Sequence, residues 1–276
     1  MPDGWPLGML GKMSSPTTAD MAEAVSRSAE RFLRLVRSAP DPDLPIPATP
    51  GWSLTDVVGH LAMEPPRYED LARGGDDWVR TAAELPEYNA RQVRELPTRD
   101  LQELSALLRR GVGSLVATVL EFGADQPDMR FDGGAKLPAD RALGTLIAEY
   151  LVHGWDIAAA MGRRWPIDAA DVSRVMEALV HIAPGWVDPG DTHTANYELR
   201  LRGQRRYYFE FRSGALTVTT TPPDRVDLRI SAHPESFLLV NYGRRSPVRE
   251  SVSGRVVAWG RKPWLAAAFN RRFLSP

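Results

Sequence analysis

The sequence predicts a mixed fold: an N-terminal four-helix bundle followed by an α+β domain with an antiparallel sheet. Three observations carry this expectation. Through residue 183 the apolar residues recur at helical spacing, in stretches separated by Gly- and Pro-rich breaks. From residue 197 the apolar period changes to two, the mark of strands with one wet face. The charge inverts at about the same place. Residues 1–194 hold 19 Lys and Arg against 29 Asp and Glu, whereas residues 195–276 hold 15 against 6.

Residues 1–17 read as a flexible leader, because MPDGWPLGMLGKMSS contains Asp3 and lacks the apolar run of a signal peptide. Over 20–38, Met21, Val25, Ala29, Phe32 and Val36 line one helical face, with Arg27, Arg31 and Arg34 turned away. The Pro-rich run APDPDLPIPATPG is a loop. Ser53 and Asp56 form a capping box that starts a second helix, in which Val57 and Leu61 flank His60. Pro65 and Pro66 are expected to end or kink it. Residues 77–95 are moderately helical, with an interruption near Pro86. Leu101, Leu104, Leu108, Leu115 and Val119 stripe a helix from Thr98 to Glu121. FGADQPDMRFDGGAKLP reads as loop. Residues 139–161 form the helix that carries Glu149 and His153, with Gly162 as its cap. Four main helices imply a bundle over residues 18–163.

Residues 164–276 are expected to form the α+β domain. It opens with a helix over 169–183, on Val172, Met176, Leu179 and Val180. Alternation then marks strands in YELRLRG, RYYFEFRSG, ALTVTT and RVDLRIS, with Gly203 and Gly214 at corners. A helix in HPESFLLVNYG, a strand in GRVVAWG and a last helix in PWLAAAF complete the domain. Internal repeats are absent.

Composition narrows the function classes. With 43% hydrophobic and 25% charged residues, this is ordinary globular composition, and no apolar run is long enough to span a bilayer. There is no cysteine. Disulfides and thiolate ligands are therefore excluded, any reacting thiol must come from outside, and a cytoplasmic setting is the default. The basic C-terminal part can pack on the acidic one or attract an anionic small molecule. Its arginines alternate along strands instead of clustering with aromatics, which argues against nucleic acid. A monomer or homodimer is expected.

His60, Glu149 and His153 are the candidate metal ligands. Glu149 and His153 are four apart, one turn along the same face of an otherwise apolar helix. Burying a carboxylate and an imidazole is costly unless each finds a partner. One divalent ion would serve both, with His60 as the third ligand. Zinc, or another divalent metal, suits nitrogen and oxygen donors, and three protein ligands leave the open position of a catalytic site. Asp156, one turn beyond His153, would orient an imidazole N–H. Other readings stay open at this point. Glu-x-x-x-His is also a common solvated pair, His60 also suits a satisfied core histidine, and Trp52 and Trp155 also suit core anchors. His181, His193 and His233 lack ligand spacing. No phosphate-binding loop and no Gly-x-Ser-x-Gly elbow is present.

PATPGWSLTDVVGHLA resembles the first signature of the mycothiol-dependent maleylpyruvate isomerase family, whose N-terminal domain belongs to the DinB-like helical bundles. AEYLVHGWDIAAAMG resembles its second signature. VDLRISAHPESFLLVNYGRR resembles the family's C-terminal domain, which is similar to sterol-carrier-protein folds. The resemblance spans roughly residues 20–275. It implies that His60, Glu149 and His153 hold a metal, usually zinc, and that Arg244 matches an arginine important for activity. It also implies mycothiol as the low-molecular-weight thiol and an actinobacterial source. The expected chemistry is action on a small electrophilic, anionic substrate, either as a maleylpyruvate-type cis-trans isomerase or as a thiol S-transferase. The alternative is a small-molecule binding protein that holds a lipid or polyketide, with a structural metal or none.

Overall fold

The computed structural model describes residues 15–274. The first fourteen residues of the expected leader lie outside them. Helix α1 (Thr18–Arg37) starts at Thr17, whose side chain and that of Asp20 satisfy each other's backbone N–H in a capping box. Ser53 and Asp56 do the same for α2 (Leu54–Ala72). Of the two expected outcomes, an end at the prolines does not occur: α2 runs through Pro65 and Pro66. Each proline removes one helical N–H, but both flanking segments of the helix are buried by tertiary packing. Gly111 lies against the two rings, where a Cβ would come within 3.2 Å of Pro65 and Pro66.

Pro86 opens helix α3 (Leu85–Arg94) instead of interrupting one, since the first turn has no N–H partner to lose. Asp100 caps α4 (Leu101–Glu121). The segment read as loop contains a hairpin of β1 (Asp128–Phe131) and β2 (Ala135–Pro138). Gly133 and Gly134 turn it at φ 76° and 74°. Strands of four residues are too short for their alternation to stand out in the sequence. Helix α5 (Ala139–Ala160) follows directly and ends before Gly162, which takes φ 65°. Helices α1, α2, α4 and α5 pack on one another as the expected bundle.

Helix α6 (Ala169–Ile182) packs on α5. The sheet contains β3 (Thr194–Leu201), β4 (Arg206–Arg212), β5 (Ala215–Thr219), β6 (Leu228–Ala232) and β7 (Val256–Gly260), in the order β5-β4-β3-β6-β7. It is mixed, not purely antiparallel, because β3 and β6 run parallel. Alternation is the same in both pairings, so strand direction is not written in it. Helix α7 (Pro234–Asn241) follows β6 and touches α6. Helix α8 (Pro247–Val252) lies outside the expected elements; its Val248 and Val252 are exposed, so no apolar face announces it. PWLAAA forms a 3₁₀ segment (Pro263–Ala268) in place of the expected α-helix. One buried apolar cluster runs from the bundle through α6 into the sheet. No helix among the described residues is long and apolar enough to cross a membrane.

Candidate metal centre

The capping box at Ser53 sets the phase of α2 so that His60 faces α5. On α5, Glu149 and His153 stand one turn apart and meet it. His60 Nε2 lies 3.9 Å from Glu149 Oε2, and His153 Nε2 lies 3.2 Å from the same oxygen. One ligand atom from each residue falls within 4.8 Å of the other two. Ligands about 2.0–2.1 Å from a tetrahedral ion stand roughly 3.3 Å apart, so small side-chain movements would close the three around one cation. Both histidines are buried, whereas the Glu149 side chain keeps 26% of its surface.

Each imidazole is held from behind. Gln92 on α3 donates through Nε2 to Glu64 Oε1 at 3.1 Å, which turns its Oε1 toward His60 Nδ1 at 2.8 Å. An amide oxygen only accepts, so His60 Nδ1 carries a proton and Nε2 is the nitrogen turned to the centre. His153 Nδ1 lies 3.4 Å from Asp156 Oδ2, a contact too poorly aligned for a hydrogen bond, and its Nε2 faces Glu149. Gly154 permits this packing of α5: a Cβ there would meet the Trp165 indole at 2.4 Å. Two imidazole nitrogens and one carboxylate oxygen, with the rings' outer nitrogens facing polar oxygens, are a donor set that fits zinc.

Asp156 is in turn gripped by Arg244. Gly243 adopts φ 72° after α7, and the Arg244 N–H bonds back to the Leu239 carbonyl at 2.7 Å. That reversal sends Arg244 toward α5, while its neighbour Arg245 pairs with Glu235. Arg244 donates from Nη2 to Asp156 Oδ2 at 2.8 Å, from Nε to Oδ1 at 3.0 Å, and from Nη1 to the Tyr242 carbonyl at 2.7 Å. Its bidentate edge therefore engages Asp156. One N–H on each of Nη1 and Nη2 remains without an acceptor among the described residues.

The electrostatics follow from this enclosure. Burial works against a charged His153, but its contacts with Asp156 and Glu149 outweigh it and the imidazole is pushed up to about 9. Burial pushes the Glu149 carboxyl up, yet His153, His60 and Arg244 together hold it below the ordinary value. In the absence of an ion, a proton on His153 is thus the compensating charge.

The centre opens into a cavity of about 270 Å³, bordered among others by Trp52, Glu64, Tyr68, Trp186, Tyr242 and Arg244. Of these, the sequence motifs mark only Trp52 and Arg244. Glu64 and Arg67 follow His60 on the same face of α2, four and seven residues on, a spacing that could have flagged them. Arg67 is buried between Glu64 at 3.3 Å and Asp132 at 2.5 Å, and those carboxylates hold its guanidinium above the ordinary range against burial. Gln92 lies on a polar helix with no pattern to mark it. His181, His193 and His233 do not join the centre.

Two family models match the chain: the mycothiol maleylpyruvate isomerase N-terminal domain over residues 22–158, and the corresponding C-terminal domain over residues 164–267. No curated protein matches the sequence. Among solved structures, the chain is similar to a mutant of the mycothiol-dependent maleylpyruvate isomerase, with TM-score 0.55 and 15% identity, covering 88% of this chain and 93% of that one. The unmutated isomerase gives TM-score 0.53 and 14% identity over the same shares. At such identity these structures speak for the fold.

Proposed function

Because the chain belongs to the mycothiol maleylpyruvate isomerase family, we propose that it is a metal-dependent, thiol-using enzyme that isomerises a small electrophile carrying a cis double bond. The observation that carries this reading is the convergence of His60, Glu149 and His153 on one point at the edge of a solvent-open cavity. The division of labour would follow the chain: residues 18–163 hold the ion, and residues 164–276 supply Arg244.

A zinc ion held by the three side chains would lower the pKa of a bound thiol or water. Mycothiol, when bound, would supply reversible addition to the double bond, which permits rotation about it. The chain's own residues set the conditions. Gln92 keeps the His60 proton on Nδ1, so Nε2 is available to the ion. Asp156 faces the outer nitrogen of His153, and Arg244 holds Asp156. The two remaining Arg244 N–H groups would orient a substrate carboxylate beside the centre. Trp52, Trp186 and Tyr242 line the space around it.

The test is metal analysis combined with an isomerisation assay. Purified protein is expected to hold about one zinc per chain. It should convert maleylpyruvate only when mycothiol is added, and His153→Ala should abolish both properties. Turnover that persists without any thiol, or in metal-free protein, would refute the reading.

A further inference from the structure

A second cavity, of about 340 Å³, adjoins the metal cavity. It lies between α6, α7, β4 and the C-terminal segment, and six aromatic rings border it: Trp186, Phe209, Phe237, Tyr242, Phe269 and Phe273. Ile182, Trp186, Tyr242 and Arg244 line both cavities, so the two share a wall. Tyr242 and Arg244 are partly exposed on that wall. Phe209 and Phe273 each pack on Phe269 at ring-centroid distances of 5.6 Å, which braces the aromatic side of the hollow against collapse. An apolar cavity of about 150 Å³ takes one benzene ring, so this one has room for a two-ring body. The wall carries the two Arg244 N–H groups that no described residue accepts.

We propose that this hollow seats the aryl body of an amphipathic, anionic electrophile whose reactive end lies across the Arg244 wall, in the metal cavity. The proposal rests on the enzymatic reading above and names its substrate class. A compact dicarboxylate would occupy the metal cavity alone and leave the aromatic hollow unfilled. An aryl-bearing carboxylate or ketoacid uses both spaces, with its anionic group at Arg244 between them.

The probe is 2-naphthoate, with maleate as the ringless comparison. Wild-type protein should bind naphthoate roughly 10- to 100-fold more tightly, the factor that burial of ring surface is worth. Leu179→Trp and Val240→Phe each put a ring into the hollow. They should abolish naphthoate binding while zinc content stays at the wild-type value. Equal affinity for the two probes, or undiminished naphthoate binding in both variants, overturns the proposal. If the variants misfold, methyl NMR of the unmutated protein decides: naphthoate should shift the Met176 methyl and leave that of Met21, in the bundle core, unmoved. No shift at Met176 overturns it. With Co²⁺ in place of zinc, protons next to the naphthoate carboxylate should relax faster than those of the far ring, and equal relaxation overturns the orientation. Protein that binds naphthoate here but takes up no metal would refute the metal reading and leave the aromatic seat standing.

Discussion

Arg244, beyond the end of α7, holds Asp156 on α5 through Nη2–Oδ2 at 2.8 Å and Nε–Oδ1 at 3.0 Å. The Asp156 side chain has no exposed surface, and its Oδ2 lies 3.4 Å from His153 Nδ1. The basic C-terminal part is thereby coupled to the candidate metal centre through one buried ion pair. Arg244→Ala would leave that carboxylate without its cation. A loss of about 2–5 kcal/mol is expected in urea unfolding, with metal affinity weakened roughly 10- to 100-fold. Arg244→Lys should recover only part of this, since an ammonium cannot fork. An unchanged unfolding midpoint in the alanine variant would contradict the coupling.

Gln92 offers a cleaner test of the His60 tautomer. It is only half-buried, on a helix that contributes little to the main core. Gln92→Leu should therefore leave thermal stability nearly unchanged while weakening zinc binding roughly tenfold or more, read by competition with a chelator. Full zinc affinity in this variant would show that another group, or water, fixes the His60 proton.

His153 links the centre to pH in two opposite ways. In metal-free protein its pKa is raised from 6.5 to about 9. A raised pKa stabilises the fold fully below the unfolded value near 6.5, and that contribution is lost as pH rises through about 9. Metal requires neutral imidazole, so the ion must displace that proton. Apparent zinc affinity should rise about tenfold per pH unit up to pH 9 and flatten above it. Calorimetric titrations in buffers of different ionisation enthalpy would count the released proton, and a release of zero at pH 7 would contradict the assignment.

Arg67 sits between two buried carboxylates, Glu64 and Asp132. Arg67→Met removes the one cation and keeps the bulk. The expected cost is about 3–5 kcal/mol by denaturant unfolding, with a second effect at the centre, because Glu64 also anchors Gln92. Restored stability in an Arg67→Met, Asp132→Asn double variant would identify the uncompensated charge as the cause.

Gly154→Ala tests packing beside the site. The added Cβ would approach Trp165 Cζ2 at 2.4 Å, and the indole is tied by its Nε1–H to the Leu151 carbonyl at 3.0 Å. Overpacking of this kind costs about 1–3 kcal/mol. A thermal scan should show the loss, with reduced zinc occupancy from the adjoining His153. An unshifted melting temperature would mean that the indole moves freely.

Much of the fold was legible because its signals are local. Ser53 and Asp56 announced α2, Gly162 announced the end of α5, and the change of period at residue 197 announced the sheet. The readings that needed correction depend on neighbours distant in sequence. Pro65 and Pro66 stay helical because flanking turns are buried and Gly111 packs on them. β6 runs parallel to β3 because of the path of the chain between them.

By itself, the sequence determined which residue types could serve the centre: with no cysteine in the chain, one helix offers Glu149 and His153 on a single face and another offers His60. Tertiary structure alone decided that these side chains meet, that Gln92 and Glu64 stand behind His60, that Arg244 engages Asp156, and that an aromatic hollow adjoins the site. The physical reason is range. Caps and periodicity act within a turn or two of chain, whereas tautomers, buried ion pairs and cavities arise where separate elements come into contact.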